Sequence, residues 1–317
     1  MKQFKNILYV LNHDTHRSSA SLLRAVALAK SNQADLTLLQ MLPDVSPIAQ
    51  ALDSGADELA AKILQQEQAT LQQLIASLDV DFSLKMEQKI GTPYIEIIRL
   101  VKVQDFDLVI KEIEDIDWLD RLLGSDDMHL LRKCPCPVWL MKKDDNTQYK
   151  HIMAAVDLTD ESDRCNDELN SEILEFACSL SLAEFTMLHV VSAYDVPQAG
   201  FISLWAEQPD RVNSQLFDAE SRDKQQKMRV LMNGLKSKVG VESYNYLSPQ
   251  THIVQGPPGR ELPRLANELN VDLVVMGTIA RTGIAGVIIG NTAENVLPQL
   301  RCSVLAIKPK GFVSPVS

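Results

Sequence analysis

A chain of 317 residues, 45% hydrophobic and 23% charged, has the length of two ordinary domains and the composition of a globular protein. Its formal net charge of −11 argues against phosphate backbones and anionic membranes as broad partners, which disfavours direct nucleic-acid binding while leaving room for a local anion pocket. No run of 18 apolar residues occurs, so no segment reads as a membrane-spanning helix.

In chain order, Phe4–Leu11 reads as a strand that breaks at Asn12, His13 and Asp14 without a cleavage-site pattern, so no signal peptide is expected. A helix follows from Ser18 to about Lys30, with Leu22, Leu23, Val26 and Ala29 on one face. Next come strand Leu36–Leu42, a long helix over Asp57–Leu78, and strand Asp81–Lys89 ending at Gly91. Pro93 then opens a helix, where the first turn tolerates proline. Strand Leu108–Ile110, a loop, a short helix over Asp127–Lys133 and strand Val138–Met141 complete the first half.

The same plan recurs. Asn6–Asn12 matches His151–Asp157 at an offset of 145, and Ala34–Gln40 matches Ala183–His189 at 149. Gly91-Thr92-Pro93 matches Gly256-Pro257-Pro258 at 165, and Val138–Lys142 matches Val304–Lys308 at 166. The offset grows only in the gaps between elements, as loop insertions would make it, so the chain is a duplicated domain. The boundary is placed at 146/147, inside the polar stretch Lys142–Lys150. The second copy carries about 16 extra residues between its second and third strands. Continuously apolar strands such as Leu273–Met276 are those of a parallel sheet buried on both faces. The predicted fold is therefore α/β: two tandem doubly wound, Rossmann-like domains, each with a five-stranded parallel sheet.

The five cysteines, Cys134, Cys136, Cys165, Cys178 and Cys302, are odd in number and scattered, which fits reduced thiols in a cytoplasmic protein. Cys134-Pro-Cys136 with His129 could be drawn as a metal corner, but both cysteines lead into an apolar strand and read as small hydrophobes; no metal is assigned. His13 and His16 merit no more. The richest segment is Met276–Glu294, which leaves a strand, carries Gly277, Gly283, Gly286 and Gly290, and enters a helix with Asn291 or Thr292 as N-cap. Such a segment either cradles a phosphate or turns tightly back to the sheet, and the glycines alone leave both readings open. Neither GxxxxGK[ST] nor GxGxxG is present. No nucleophile–base arrangement declares itself; His189 at a strand end reads as a satisfied structural residue more readily than as a base.

The strand ending in Asp157, the strand Leu188-His189-Val190-Val191, Met276-Gly277 with its glycine-rich continuation, and the closing Arg301–Leu305 strand together resemble the universal stress protein family. The resemblance covers residues 3–310. Gly290-Asn291-Thr292-Ala293-Glu294 and Leu130–Pro135 resemble its tandem E-type branch. The resemblance implies a role in survival of stress and DNA damage, with no catalytic step. It also implies ATP or a related nucleotide as ligand, held by Asp157, Val190, Met276, Gly277, Ala280, Gly290, Asn291 and Thr292. Two positions depart from the family pattern: Ala280 stands for the second glycine, and Asn291 for a serine or threonine.

In the first half the corresponding loop begins at Lys111 and is crowded with Glu112, Glu114, Asp115, Asp117 and Asp120, while Asn12 stands for Asp157; that copy is expected to have lost phosphate binding. The last strands of the two halves are expected to meet in an intrachain pseudo-dimer, and a homodimer of the whole chain stays open. The rival reading is a carrier or sensor of an apolar small molecule, with Phe201, Ile202, Leu204, Trp205 and Phe217 lining a cavity; a slow ATPase ranks behind both.

Overall fold

Aliphatic runs in the sequence become central strands, and the amphipathic stretches between them become the helices that cover the sheets. The computed structural model describes residues 3–11, 19–42, 56–78, 80–82, 84–113, 125–142, 148–158, 164–278 and 290–317 (backbone only for 56–60 and 164–165). The first half runs β1 (Asn6–Leu11), α1 (Ala20–Asn32), β2 (Asp35–Leu42), α2 (Ala56–Ser77), β3 (Leu84–Ile90), α3 (Pro93–Gln104), β4 (Leu108–Ile113), α4 (Asp126–Lys133) and β5 (Val138–Lys142). The second runs β6 (His151–Ala155), α5 (Arg164–Glu184), β7 (Met187–Tyr194), α6 (Ala199–Leu204), α7 (Pro209–Val239), α8 (Val241–Leu247), β8 (Gln250–Gln255), α9 (Pro258–Glu268), β9 (Leu273–Gly277), α10 (Asn291–Val296) and β10 (Ser303–Ile307).

Two compact units result, one gathering Phe4–Ile116, Leu123–Thr147 and Val316–Ser317, the other Gln148–Pro315. Within the first the strand order is β3-β2-β1-β4-β5, and within the second β8-β7-β6-β9-β10. The pairs within each unit are parallel. This is the doubly wound fold the sequence predicts. The order reverses between β1 and β4 and again between β6 and β9, and the carboxyl ends of those strands are where such sheets take ligands. Central strands are sealed on both faces: Leu108, Val109, Ile110, Leu273 and Val275 have no exposed surface. The outer strands β3 and β8 are half-exposed, and β3 alternates Lys85, Glu87 and Lys89, charges that discourage edge pairing. No helix among the described residues is long and apolar enough to cross a membrane.

Helix ends follow local chemistry. Ser19 caps α1 by accepting from the Leu22 N–H, so the helix begins just after the predicted Ser18. Pro93 and Pro258 occupy the first positions of α3 and α9, as expected. Each is preceded by a glycine with positive φ, Gly91 at +138° and Gly256 at +133°. A Cβ there would stand 3.2 Å from the Glu96 Cγ or 2.8 Å from the Glu261 Cγ, so both copies need glycine.

Two expectations are corrected. The β2–β7 correspondence lies at an offset of 152, not 149. Gln33 and Phe185 are the left-handed residues that end α1 and α5 (φ 51° and 57°). Asp35 and Met187 then donate to the equivalent carbonyls of Lys5 and Lys150. Second, β4 runs three residues past Ile110, because Lys111, Glu112 and Ile113 pair with Leu140, Met141 and Lys142 of β5; all three are strand, not loop.

Candidate functional site

The carboxyl edge at the β6–β9 reversal gathers most of the expected residues. Beyond β6, two buried asparagines of α5 clamp Asp157 by its main chain. The Asp157 N–H donates to Asn170 Oδ1 (3.0 Å), and its carbonyl accepts from Asn170 Nδ2 (2.6 Å) and Asn166 Nδ2 (3.0 Å). The residue itself is exposed, which leaves its carboxylate at the open edge. The next carbonyl, that of Leu158, accepts from Lys224 Nζ of α7 at 2.9 Å. Lys224 is 2% exposed and is paired with Glu220 at 2.8 Å.

On the neighbouring strand, register pairs Ala155 with Met276, which brings Thr278 to the level of Asp157. Ile307 pairs with Gly277, so Lys308 stands beside Thr278 from the other side. Lys308 is buried (6% exposed), donates to Thr278 Oγ1, and lies 5.3 Å from the Phe312 ring. The Thr278 carbonyl accepts from the Gly290 N–H (2.8 Å), which ties the two ends of the glycine-rich segment together. Sequence reading missed both lysines, because a lysine on a helix or strand end ordinarily faces water.

The glycines have other reasons than expected. A Cβ on Gly277 would sit 2.7 Å from Leu169 Cδ2 and 3.7 Å from Ile173 Cδ1, so this glycine lets α5 pack tightly on β9. Gly290 has φ −63°, ψ 142°, and an added Cβ would meet only the Thr278 carbonyl at 3.6 Å. Gly290 therefore does not use the left-handed freedom of glycine, and it is itself the N-cap of α10. Asn291 and Thr292 are exposed first-turn residues of that helix, not its caps. Met276 is buried. Val190 is buried in mid-strand between Ala154 and Thr251, level with a residue three positions before Asp157, so it is not brought to the open edge. Ala280 and the rest of 279–289 lie outside the described residues.

The equivalent corner of the first half is built differently. Glu112, the counterpart of Gly277, is buried (5% exposed) and accepts a hydrogen bond from Ser21 Oγ of α1. Ser21 in turn meets Tyr9 OH at 2.7 Å, and burial pushes the Tyr9 hydroxyl up to about 12. Glu112 therefore serves the interior and does not crowd a phosphate loop as expected. Lys111 is paired with Asp127 at 2.7 Å. Ser125 caps α4 with its side chain, accepting from the Met128 N–H (3.3 Å), whereas α10 has no side-chain cap. Asn12, Glu114, Asp115, Asp117, Asp120, His13 and His16 lie outside the described residues.

Away from this edge, His189 is satisfied as expected. His151 Nδ1 and His189 Nε2 are 3.1 Å apart, and His189 Nδ1 and His252 Nε2 also 3.1 Å, a hydrogen-bonded row across β6, β7 and β8. Burial, with His252 and His151 beside it, pushes His189 down to about 4. Cys134 and Cys136 are buried with their sulfurs 3.6 Å apart, and His129 stacks on Tyr94. Among the described residues no group of three potential ligands could hold a metal ion. Phe201, Ile202, Leu204 and Trp205 of the inserted segment are 44–81% exposed, while α7 packs on α5, β7 and β8 of its own unit.

The sequence model of the Universal stress protein family matches residues 3–142 and 148–308. Universal stress protein E of Salmonella typhi is 30% identical over 100% of this chain and 98% of its own length, and the homologue from Haemophilus influenzae is 30% identical over 97% and 98%. A crystal structure of a functionally unknown protein from Pseudomonas aeruginosa PAO1 superposes with a TM-score of 0.66, at 27% identity, covering 96% of this chain and 93% of that one. With both copies matched, and the same doubly wound sheet in each, the chain belongs to the universal stress protein family and carries two of its domains in tandem.

Proposed function

We propose that the chain is a non-catalytic stress-response protein of the cytoplasm whose second half binds ATP or a related nucleotide. The observation that carries this reading is the line of Asp157, Thr278 and Lys308 on three adjacent strand ends of one sheet, at its reversal point. A carboxylate at the edge suits the paired hydroxyls of a ribose, and an ammonium at the foot of the glycine-rich segment suits a phosphate as a point charge. The clamped main chain of Asp157 supports the assignment, because a carboxylate held in advance loses less freedom on binding. The first half has Ile113 where the second has Thr278 and a buried Glu112 where it has Gly277, which supports binding by one copy only. The buried thiols of Cys134, Cys136, Cys178 and Cys302, none of them in a disulfide, suit a reducing compartment.

Titration calorimetry with ATP tests the reading. Saturable binding is expected for the full chain, weakened about tenfold or more by Asp157→Ala, the loss of a charge-assisted hydrogen bond. Equal affinity in wild type and variant, or no saturation at millimolar ATP, overturns it.

A further inference from the structure

We propose that Lys224, on the long helix α7 of the second half, is a positioning residue of this site: it holds the carbonyl of Leu158, the residue after Asp157, and so sets where the carboxylate points. The proposal rests on the nucleotide reading above. Helix α7 is 31 residues long against 22 for α2, and its buried face starts at Lys224 and continues through Met228, Met232 and Leu235. That spacing is the stripe of an apolar helix face, and a methionine would fill the first position as well as the next two. An ammonium there is costly unless its donors are satisfied, and each of its partners is an oxygen: Leu158 O at 2.9 Å, Glu220 Oε1 at 2.8 Å and Asp223 Oδ2 at 3.5 Å. The two carboxylates lie on the same helix as Lys224. Among the described residues, Leu158 O is the partner of Lys224 that ties that helix to another element. With Asn166 and Asn170 holding Asp157 O, successive carbonyls of the turn each take a buried donor, two from α5 and one from α7. Removing Lys224 frees one side of that clamp and leaves the Leu158 carbonyl without it.

Two measurements on the full-length chain separate positioning from packing: amide hydrogen exchange at Val156 and Asp157, and ATP affinity by calorimetry. Lys224→Met is compared with Met232→Ala, which opens the same helix face two turns away. For Lys224→Met, exchange at Asp157 is expected to rise, and ATP affinity to fall, by about tenfold each, the scale of one lost hydrogen bond to a charged donor. Lys224→Arg should restore most of both, and Met232→Ala should leave both within about twofold while lowering the melting temperature. Unchanged exchange in Lys224→Met, or equal losses in Met232→Ala, overturns the proposal. Wild-type protein that binds no ATP refutes the nucleotide reading instead, and the exchange data still decide whether Lys224 holds the turn.

Discussion

The two halves share a fold and differ most tellingly at a layer where the first helix of each copy meets the carboxyl end of its sheet. In the first half that layer is Tyr9, Ser21 and Glu112, joined by hydrogen bonds. The structurally equivalent positions of the second are Ala154, Ile173 and Gly277, where an aliphatic contact replaces the polar one. One copy has spent its strand end on an internal polar network, and the other has kept backbone close to its helix and left its polar groups at the edge. A shared fold thus fixes where a site can form, and a few residues decide whether one does.

The sharpest way to break the comparison is Gly277→Glu, which gives the second half the first half's residue without its hydroxyl partners. Its Cβ would collide with Leu169 and its carboxylate would be buried unpaired, at a cost of about 3–5 kcal/mol. Chemical denaturation should show that loss together with loss of ATP binding, and full stability in the variant would contradict the packing described here. The counterpart change, Glu112→Ala, removes the charged acceptor of the Ser21 hydroxyl, which keeps Tyr9 as a partner, and should cost about 1–3 kcal/mol without affecting nucleotide affinity.

Acid distinguishes the halves next. The positions equivalent to the histidine row are Asn6, Thr37 and Glu87 in the first half, so the row with His189 at its centre belongs to the second half alone. His189 is held near 4 when folded and titrates at its ordinary 6.5 when unfolded. Above pH 6.5 both states are neutral and nothing changes. As pH falls from 6.5 toward 4 the unfolded chain takes up a proton that the folded chain refuses, so stability drops by up to about 3 kcal/mol. Denaturation midpoints at pH 7 and pH 5 should show the drop, and His189→Gln should flatten it. The smallest effect is expected at Gly290, whose Cβ has room. Gly290→Ala should change stability by less than about 1 kcal/mol, and a larger loss in thermal denaturation would mean that the cap geometry is misread.

The duplication and the parallel sheets were legible because runs such as Leu273–Met276 can be satisfied only between two layers of helix. The register of the repeat was not. Ala34-Asp35-Leu36 resembles Ala183-Glu184-Phe185, but a left-handed C-cap at Gln33 and at Phe185 sets the true correspondence three residues later, and αL residues other than glycine leave little mark in a sequence. Asp157, Met276 and Gly277 were found at the edge because they end strands. Lys224 and Lys308 escaped notice because their burial depends on partners remote in sequence, a carbonyl 66 residues away for one and a hydroxyl 30 residues away for the other.

The three-residue layer also bears on how such a protein diverges after its gene is duplicated. Starting from either copy, each single replacement at these positions passes through a core that has lost a hydrogen bond of the network or that holds an unpartnered hydroxyl, an unpartnered carboxylate or a collision with Leu169. Intermediates of that kind are selected against, so a lineage that has made one change is pushed to complete the set and is then held there. Specialisation of the two halves works as a ratchet: a copy that has taken on the buried glutamate does not drift back to an open edge one mutation at a time, and chimaeras that exchange fewer than three of these residues should fold worse than either parent domain.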